Sequence, residues 1–205
     1  MKRFLPLYIG AATLLAPAAA GAHFVLQYPA QIIEQNGLGD PQKMAPCGGV
    51  TGNPGRPTNA VTEAVGGSAL HIKIQETVFH PGHYRVALGV NGMADLPKDP
   101  ETITRETDRG PRSVSTKIDP APKAPLLADG LFPHTEKPAS GSFWETEIKL
   151  PNINCDHCML QVVQWMGEHG LNKDGDYSYH HCAAVRIKAD PKLALDKGWP
   201  KQARR

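Results

Sequence analysis

Residues 69–90 read ALHIKIQETVFHPGHYRVALGV and carry the clearest structural pattern in the chain. Apolar and polar residues alternate from Leu70 to Gln75, which is the period of a strand with one buried face. The alternation resumes over residues 84–90, after a turn at Pro81-Gly82. This segment therefore predicts two consecutive β-strands joined by a tight turn.

Similar patterns recur along the rest of the chain. Further strands are expected at residues 24–28, 143–150, 159–166 and 179–187. Short strands separated by Gly, Pro and Asn predict an all-β fold, a single β-sandwich of the immunoglobulin or fibronectin-III-like kind. Residues 35–67 and 91–141 are expected to be long irregular loops, and residues 191–197 a helical turn.

The first 22 residues have the composition of a signal peptide. Lys2 and Arg3 precede an apolar run, and Ala20-Gly21-Ala22 provides the small residues that precede a cleavage site. The apolar run is too short to span a bilayer as a helix. We therefore expect cleavage after Ala22, a secreted or periplasmic protein that is not bound to a membrane, and one monomeric domain formed by residues 23–205.

Charge and cysteine content indicate which partners and which covalent bonds to expect. The formal net charge is only +2 and the basic residues are scattered, so a nucleic-acid partner is not expected. An even number of cysteines in an exported chain predicts two disulfides, here among Cys47, Cys155, Cys158 and Cys182. For the pair at 155 and 158, a thioredoxin-like redox motif and a zinc knuckle with His180 and His181 remain alternatives.

Cleavage after Ala22 would give His23 a free α-amine. The amine and the ring of one residue can then chelate the same metal, which an internal histidine cannot do. Their ordinary pKa values, about 7.7–8.0 and about 6.5, allow both groups to lose a proton near neutral pH. A second imidazole would complete a three-nitrogen set of the kind that favours Cu(II). The alternative is that His23 is an incidental N-terminus.

His80 is the candidate for the second imidazole. It precedes the Pro81-Gly82 turn, which is expected to display it at the edge of the sandwich rather than bury it. His83 is the rival in the same turn, and its other interpretation is a surface or supporting histidine. His71 is expected to be solvated, and His134 and His169 are expected to lie in loops, neither of them at metal-ligand spacing from a neighbour in the sequence.

Three stretches together are similar to a known family. They are residues 23–29 (HFVLQYP), residues 80–85 (HPGHYR), and the segment from 155–161 (CDHCMLQ) through Trp165 to 179–187 (YHHCAAVRI). In these stretches the chain resembles the lytic polysaccharide monooxygenases, which bind one copper ion in a histidine brace. The resemblance implies His23 and His80 as copper ligands. It also implies Tyr179 as the axial residue, since the family has an aromatic residue three positions before a cysteine there.

The resemblance also implies an activity. Copper cycling between Cu(II) and Cu(I) would use dioxygen or hydrogen peroxide, with an external electron donor, to break glycosidic bonds of a chitin- or cellulose-like polysaccharide. Many members carry Gln or Glu two residues before the axial aromatic, where this chain has Tyr177. Tyr179 and Tyr177 are therefore the candidate catalytic residues, and His83, His180 and Glu76 are alternatives for the supporting role.

Strand parity gives independent expectations for two of these residues. Tyr179 has the parity of the apolar Val185 and should point inward, either as an axial residue or as an ordinary core tyrosine. Cys182 has the opposite parity and would face a covering loop, where Cys47 is the preferred partner. Cys155 and Cys158 would then pair with each other, although sequence leaves the connectivity open.

Two other functions remain open. A non-catalytic copper carrier, store or sensor would use the same brace without a substrate surface. A carbohydrate-binding sandwich would need no redox chemistry. Aromatic residues make up only 6% of the chain, and no set of stacking residues for a flat polysaccharide is evident.

Overall fold

The computed structural model describes residues 22–170 and 177–203. The expected leader therefore lies outside the described residues, except for Ala22. Within them the fold is all-β, as predicted, and its helical content is a single 3-10 turn at Gly92–Asp95. No helix of the described part is long and apolar enough to cross a membrane.

Eleven strands are present in the described residues. In chain order they are β1 (His23–Tyr28), β2 (Val61–Val65), β3 (Ala69–Val78), β4 (Gly82–Gly89), β5 (Thr102–Thr107), β6 (Gly110–Thr116), β7 (Leu126–His134), β8 (Trp144–Lys149), β9 (Cys155–Met166), β10 (His169–Gly170) and β11 (Ser178–Lys188). Each of the six segments predicted to be strands overlaps one of them.

Two sheets enclose the core. One is antiparallel with the order β1-β3-β8, and the other has the order β2-β11-β9-β4-β7, in which β2 runs parallel to β11. Fully buried Phe24 and Ile72 of the first sheet and Tyr84 and Val162 of the second belong to one apolar cluster. The architecture is thus compatible with the predicted β-sandwich, while its immunoglobulin or fibronectin-III type stays a prediction.

Two of the expected irregular segments contain strands. Residues 91–141 include β5, β6 and β7, and β2 lies near the end of residues 35–67. These strands were missed because they lack a strongly buried face: most side chains of β5 are exposed, and those of β7 are mostly half-buried. The helical turn expected at residues 191–197 was also wrong, because that segment contains only turns and irregular backbone.

The cysteines form the preferred pairs. Cys47 is bonded to Cys182 and Cys155 to Cys158, with S–S distances of 2.05 and 2.07 Å. The second pair lies within β9, not in the βαβ setting of a redox motif, and its sulfurs are bonded to each other rather than available to zinc. Two disulfides are typical of proteins from an oxidising compartment.

Candidate metal centre

Neighbouring strands bring His23 and His80 to the same end of the sandwich. His23 begins β1 and is paired across the sheet with Val78, the last residue of β3. His80 follows two residues later. Typical cross-strand and chain spacings limit the separation of the two histidine Cα atoms to about 12 Å.

Two separate sets of ring contacts bring the two histidines close to neighbouring tyrosines. The ring of His23 meets the ring of Tyr179 edge-on, with centroids 5.1 Å apart. The ring of His80 is stacked on His169 at 5.2 Å, and His169 meets Tyr177 at 5.8 Å. Since Tyr177 and Tyr179 are two residues apart, all four predicted site residues lie at this end of the fold, together with His169.

Sequence reasoning missed His169. It belongs to β10, which has two residues and pairs with β6, and not to a loop. A strand of this length has no periodicity from which its orientation could be predicted, and only the tertiary contact with His80 reveals its position.

The two tyrosines are buried next to the histidines. Tyr179 is 4% exposed and belongs to the apolar core, so the inward orientation predicted from parity is confirmed. Tyr177 is 6% exposed and immediately precedes β11. The axial and catalytic roles of the two residues stay predictions.

Hydrogen bonding leaves one ring nitrogen of His80 available to a metal. Its Nδ1 lies 3.2 Å from the carbonyl oxygen of Pro81, and a carbonyl only accepts, so Nδ1 carries the proton in this bond. Nε2 then holds the lone pair. Burial is the main cause that lowers the pKa of His80, which favours the neutral ring that a metal requires. His80 is 9% exposed, so its expected display at the edge was wrong.

The Pro81-Gly82 turn is packed tightly against β9. A Cβ atom at Gly82 would lie 1.9 Å from the backbone oxygen of Trp165, so no larger residue fits without a backbone shift. The carbonyl of Pro81 also accepts the backbone N–H of Gly167 at 2.7 Å. These contacts, rather than exposure, fix the position of His80.

A buried carboxylate and a histidine hold the two backbone polar groups of His80. Glu76 Oε1 accepts the backbone N–H of His80 at 3.2 Å and the side-chain amide of Gln164 at 2.9 Å. His134 Nε2 lies 3.3 Å from the same oxygen and 3.0 Å from the backbone oxygen of His80. His134 therefore supports the backbone of His80, and it is the last residue of β7 rather than part of the expected loop.

His134 is charged in this arrangement. Its Nδ1 lies 2.7 Å from the backbone oxygen of Phe132, so both ring nitrogens face acceptors and both carry a proton. Burial opposes the charge, but the hydrogen bond to Glu76 and the bonds to backbone oxygens outweigh it and raise the pKa of His134. The result is an ion pair of two almost fully buried side chains.

The side chain of His83 lies on the face of its sheet that is turned away from the core. The adjacent Tyr84 faces the core, and successive side chains of a strand alternate between faces. His83 instead stacks on Trp165 at 5.3 Å, and its Nε2 is 3.9 Å from Asp129. This orientation favours His80 as the candidate ligand. His83 is 4% exposed, so the expectation of a surface histidine was wrong.

Three further histidines are bonded to groups outside the proposed ligand set. His180 Nε2 bonds to Asp99 at 2.8 Å, and His181 Nε2 bonds to the backbone oxygen of Phe24 at 3.0 Å. His71 forms ion pairs with two glutamates on the open face of β3, in keeping with the expected solvated position.

The donor groups at this end of the fold are of the kinds that a brace of two imidazoles and an amine would use. Among the described residues, no group of three or more His, Cys, Asp or Glu side chains is arranged to hold a metal. A brace takes only two nitrogens from such side chains, since its third is the α-amine. In the unprocessed chain that nitrogen is the peptide nitrogen between Ala22 and His23. The sequence matches no protein-family model and no curated protein.

Proposed function

We propose that the processed chain, beginning at His23, is an exported mononuclear copper protein that cleaves polysaccharide oxidatively. The observation that carries this proposal is the position of His23 at the start of β1, beside the end of β3 and in ring contact with Tyr179. In the processed chain, a new α-amine and the ring of the same residue would lie at the same end of the sandwich as the turn of His80.

Each residue has a defined part in the proposal. His23 provides its amine and Nδ1, and His80 provides Nε2, the nitrogen left by its bond to Pro81. Tyr179, whose ring meets that of His23, would lie beside the bound copper. Bound copper would supply one-electron chemistry toward dioxygen or hydrogen peroxide, with electrons from an external donor. Tyr177 and His169 border the site and would limit how a co-substrate approaches.

The electron paramagnetic resonance spectrum of the copper-loaded processed chain tests the site. We expect a tetragonal Cu(II) signal with three nitrogen ligands. A matched chain whose His23 α-amine is acetylated has the same side chains but no free amine, and it should lose this signal. An unchanged spectrum in the acetylated chain would refute the brace.

Copper handling without catalysis is the second candidate. Of the described residues, the exposed aromatic ones are Tyr28 and Phe143. Tyr28 lies at the far end of β1, about 17 Å from His23 at strand spacing, so it does not border the candidate site. A flat polysaccharide normally stacks on exposed aromatic rings, so the small number of such rings among the described residues is the observation that favours a carrier, store or sensor.

Product analysis separates the two candidates. With ascorbate and peroxide, the processed copper protein should release oxidised oligosaccharides from chitin or cellulose if it is a monooxygenase. Tight Cu(II) binding with no product from a broad glycan panel would select copper handling. Equal binding of chitin or cellulose with and without copper, and no oxidation, would instead indicate a carbohydrate-binding sandwich.

A further inference from the structure

The carboxylate of Asp40 lies against the ring of His23. Asp40 Oδ2 is 3.3 Å from His23 Nε2, and the two side chains are 32% and 16% exposed. We propose that Asp40 is a positioning residue of the copper centre, which keeps the proton of the His23 ring on Nε2 and leaves Nδ1 to the metal. This inference rests on the proposed function.

The chemistry of imidazole explains the effect. A neutral ring has one N–H and one lone pair, and the group beside each nitrogen decides which is which. A carboxylate carries negative charge and only accepts, so it favours the proton on the nearer nitrogen, Nε2 of His23. Chelation together with the amine of the same residue requires the other nitrogen, Nδ1. Carboxylates commonly orient metal-binding histidines in this way.

Asp40 belongs to a turn that has hydrogen bonds within itself and one hydrogen bond from β3. The side-chain oxygen of Asn36 accepts the backbone N–H groups of Leu38 and Asp40 at 2.9 and 3.0 Å. The backbone N–H of Asn36 donates to the carbonyl of Asp40 at 2.9 Å. The hydroxyl of Thr77 donates to the carbonyl of Leu38 at 2.6 Å. The carboxylate is therefore carried by a constrained turn.

The same turn is packed directly on the residue after His23. Gly39 has φ +100°, and a Cβ there would lie 1.8 Å from the backbone oxygen of Phe24. Only glycine allows both this conformation and this approach. The turn therefore contacts the start of β1 through its backbone as well as through Asp40.

Gln42, which follows this turn, is hydrogen-bonded to both β1 and β11. Its side-chain oxygen accepts the backbone N–H of Phe24 at 3.1 Å, and its backbone oxygen accepts the N–H of His180 at 2.8 Å. Five residues later, Cys47 is bonded to Cys182 of β11. The segment from 36 to 47 is thus attached to the strand that begins with His23 and to the strand that contains Tyr179.

The tautomer of His23 gives a test that needs no metal. In ¹⁵N nuclear magnetic resonance of the processed apoprotein above the pH at which the ring is protonated, we expect the Nε2–H form to predominate. Asp40→Ala should shift the population toward Nδ1–H. Asp40→Asn should retain the parent form, because its amide oxygen still accepts from Nε2–H. Asp156→Asn, a carboxylate change at the exposed start of β9, should change nothing.

Copper binding gives the second readout. Asp40→Ala should weaken Cu(II) binding about 10- to 100-fold, the usual effect of removing an orienting partner, whereas Asp40→Asn should stay close to the parent. Equal tautomer populations and equal affinities in the parent and Asp40→Ala would overturn the inference. Weak copper binding by the parent itself would refute the proposed function, and the tautomer comparison would still decide the role of Asp40.

Discussion

The Nε2 atom of His134 lies 3.0 Å from the backbone oxygen of His80, so the end of β7 is bonded to the proposed second ligand. His134→Ala would leave Glu76 as a buried carboxylate without its ion-pair partner. We expect the free energy of unfolding to fall by about 3–5 kcal/mol, the usual cost of breaking a buried pair. Denaturant titration of the apoprotein measures this loss.

The matched control for that prediction is His71→Ala. His71 also pairs with carboxylates, but on an open sheet face, where such pairs contribute about 0–1 kcal/mol. Similar losses for the two variants would contradict a special role of the buried pair. In the double variant Glu76→Gln with His134→Ala, the loss should be smaller than the sum of the single losses.

Gly39→Ala and Gly37→Ala test the turn that carries Asp40. A Cβ at Gly39 would collide with the backbone of Phe24, whereas nothing lies within 4 Å of a Cβ at Gly37. Gly39→Ala should lower the free energy of unfolding by more than about 2 kcal/mol and weaken copper binding, and Gly37→Ala should stay within about 0.5 kcal/mol of the parent. Thermal unfolding and copper titration of both variants provide the comparison.

Acid should destabilise the apoprotein through His181. Burial is the main cause that lowers the pKa of this ring to about 4 in the folded protein, from 6.5 for a solvated histidine. Because the folded pKa is the lower one, the unfolded chain takes up the proton first as the pH falls. The stabilisation present above pH 6.5 is therefore lost between pH 6.5 and 4, by about 3 kcal/mol.

Unfolding measured against pH, with a chelator present, tests this expectation. His181→Gln can still donate from its amide to the backbone oxygen of Phe24 but does not titrate. Its stability should depend less on pH over that window. Identical slopes for the parent and His181→Gln would show that other groups cause the acid sensitivity.

The two disulfides should differ in their contribution to stability. Cys47–Cys182 spans 135 residues, and its loss in a double alanine variant should cost about 5 kcal/mol if chain entropy dominates. Cys155–Cys158 spans three residues and should contribute about 2 kcal/mol. Denaturation of the two double variants gives the comparison, and a larger loss for the short pair would contradict the entropic explanation.

His80→Ala and His83→Ala distinguish the two histidines of the same turn. His80→Ala should remove a nitrogen from the copper spectrum and weaken binding by more than the about 10- to 100-fold typical of a supporting group. His83→Ala should leave the nitrogen count unchanged, because His83 faces Trp165 on the other side of the sheet. Loss of a nitrogen only in His83→Ala would transfer the ligand role to His83. Circular dichroism of both variants checks that they fold.

Periodicity explains why some predictions succeeded. The alternation around Ile72 and Ile74 predicted the position of β3 and its buried face, and parity predicted the inward orientation of Tyr179 and the outward one of Cys182. Both depend on neighbours along one strand. Strands with little burial, such as β5, lack that signal and resemble loops in the sequence.

By itself, the sequence determined the all-β class, the inward faces of the main strands and the unusual histidine at the expected new N-terminus, because these follow from residues close together in the chain. Tertiary structure alone decided which side chains hold the two candidate ligands. Asp40 meets His23 by a turn folded back on β1, and His134 reaches His80 from 54 residues away. Such contacts arise from the packing of distant segments, which local periodicity does not encode.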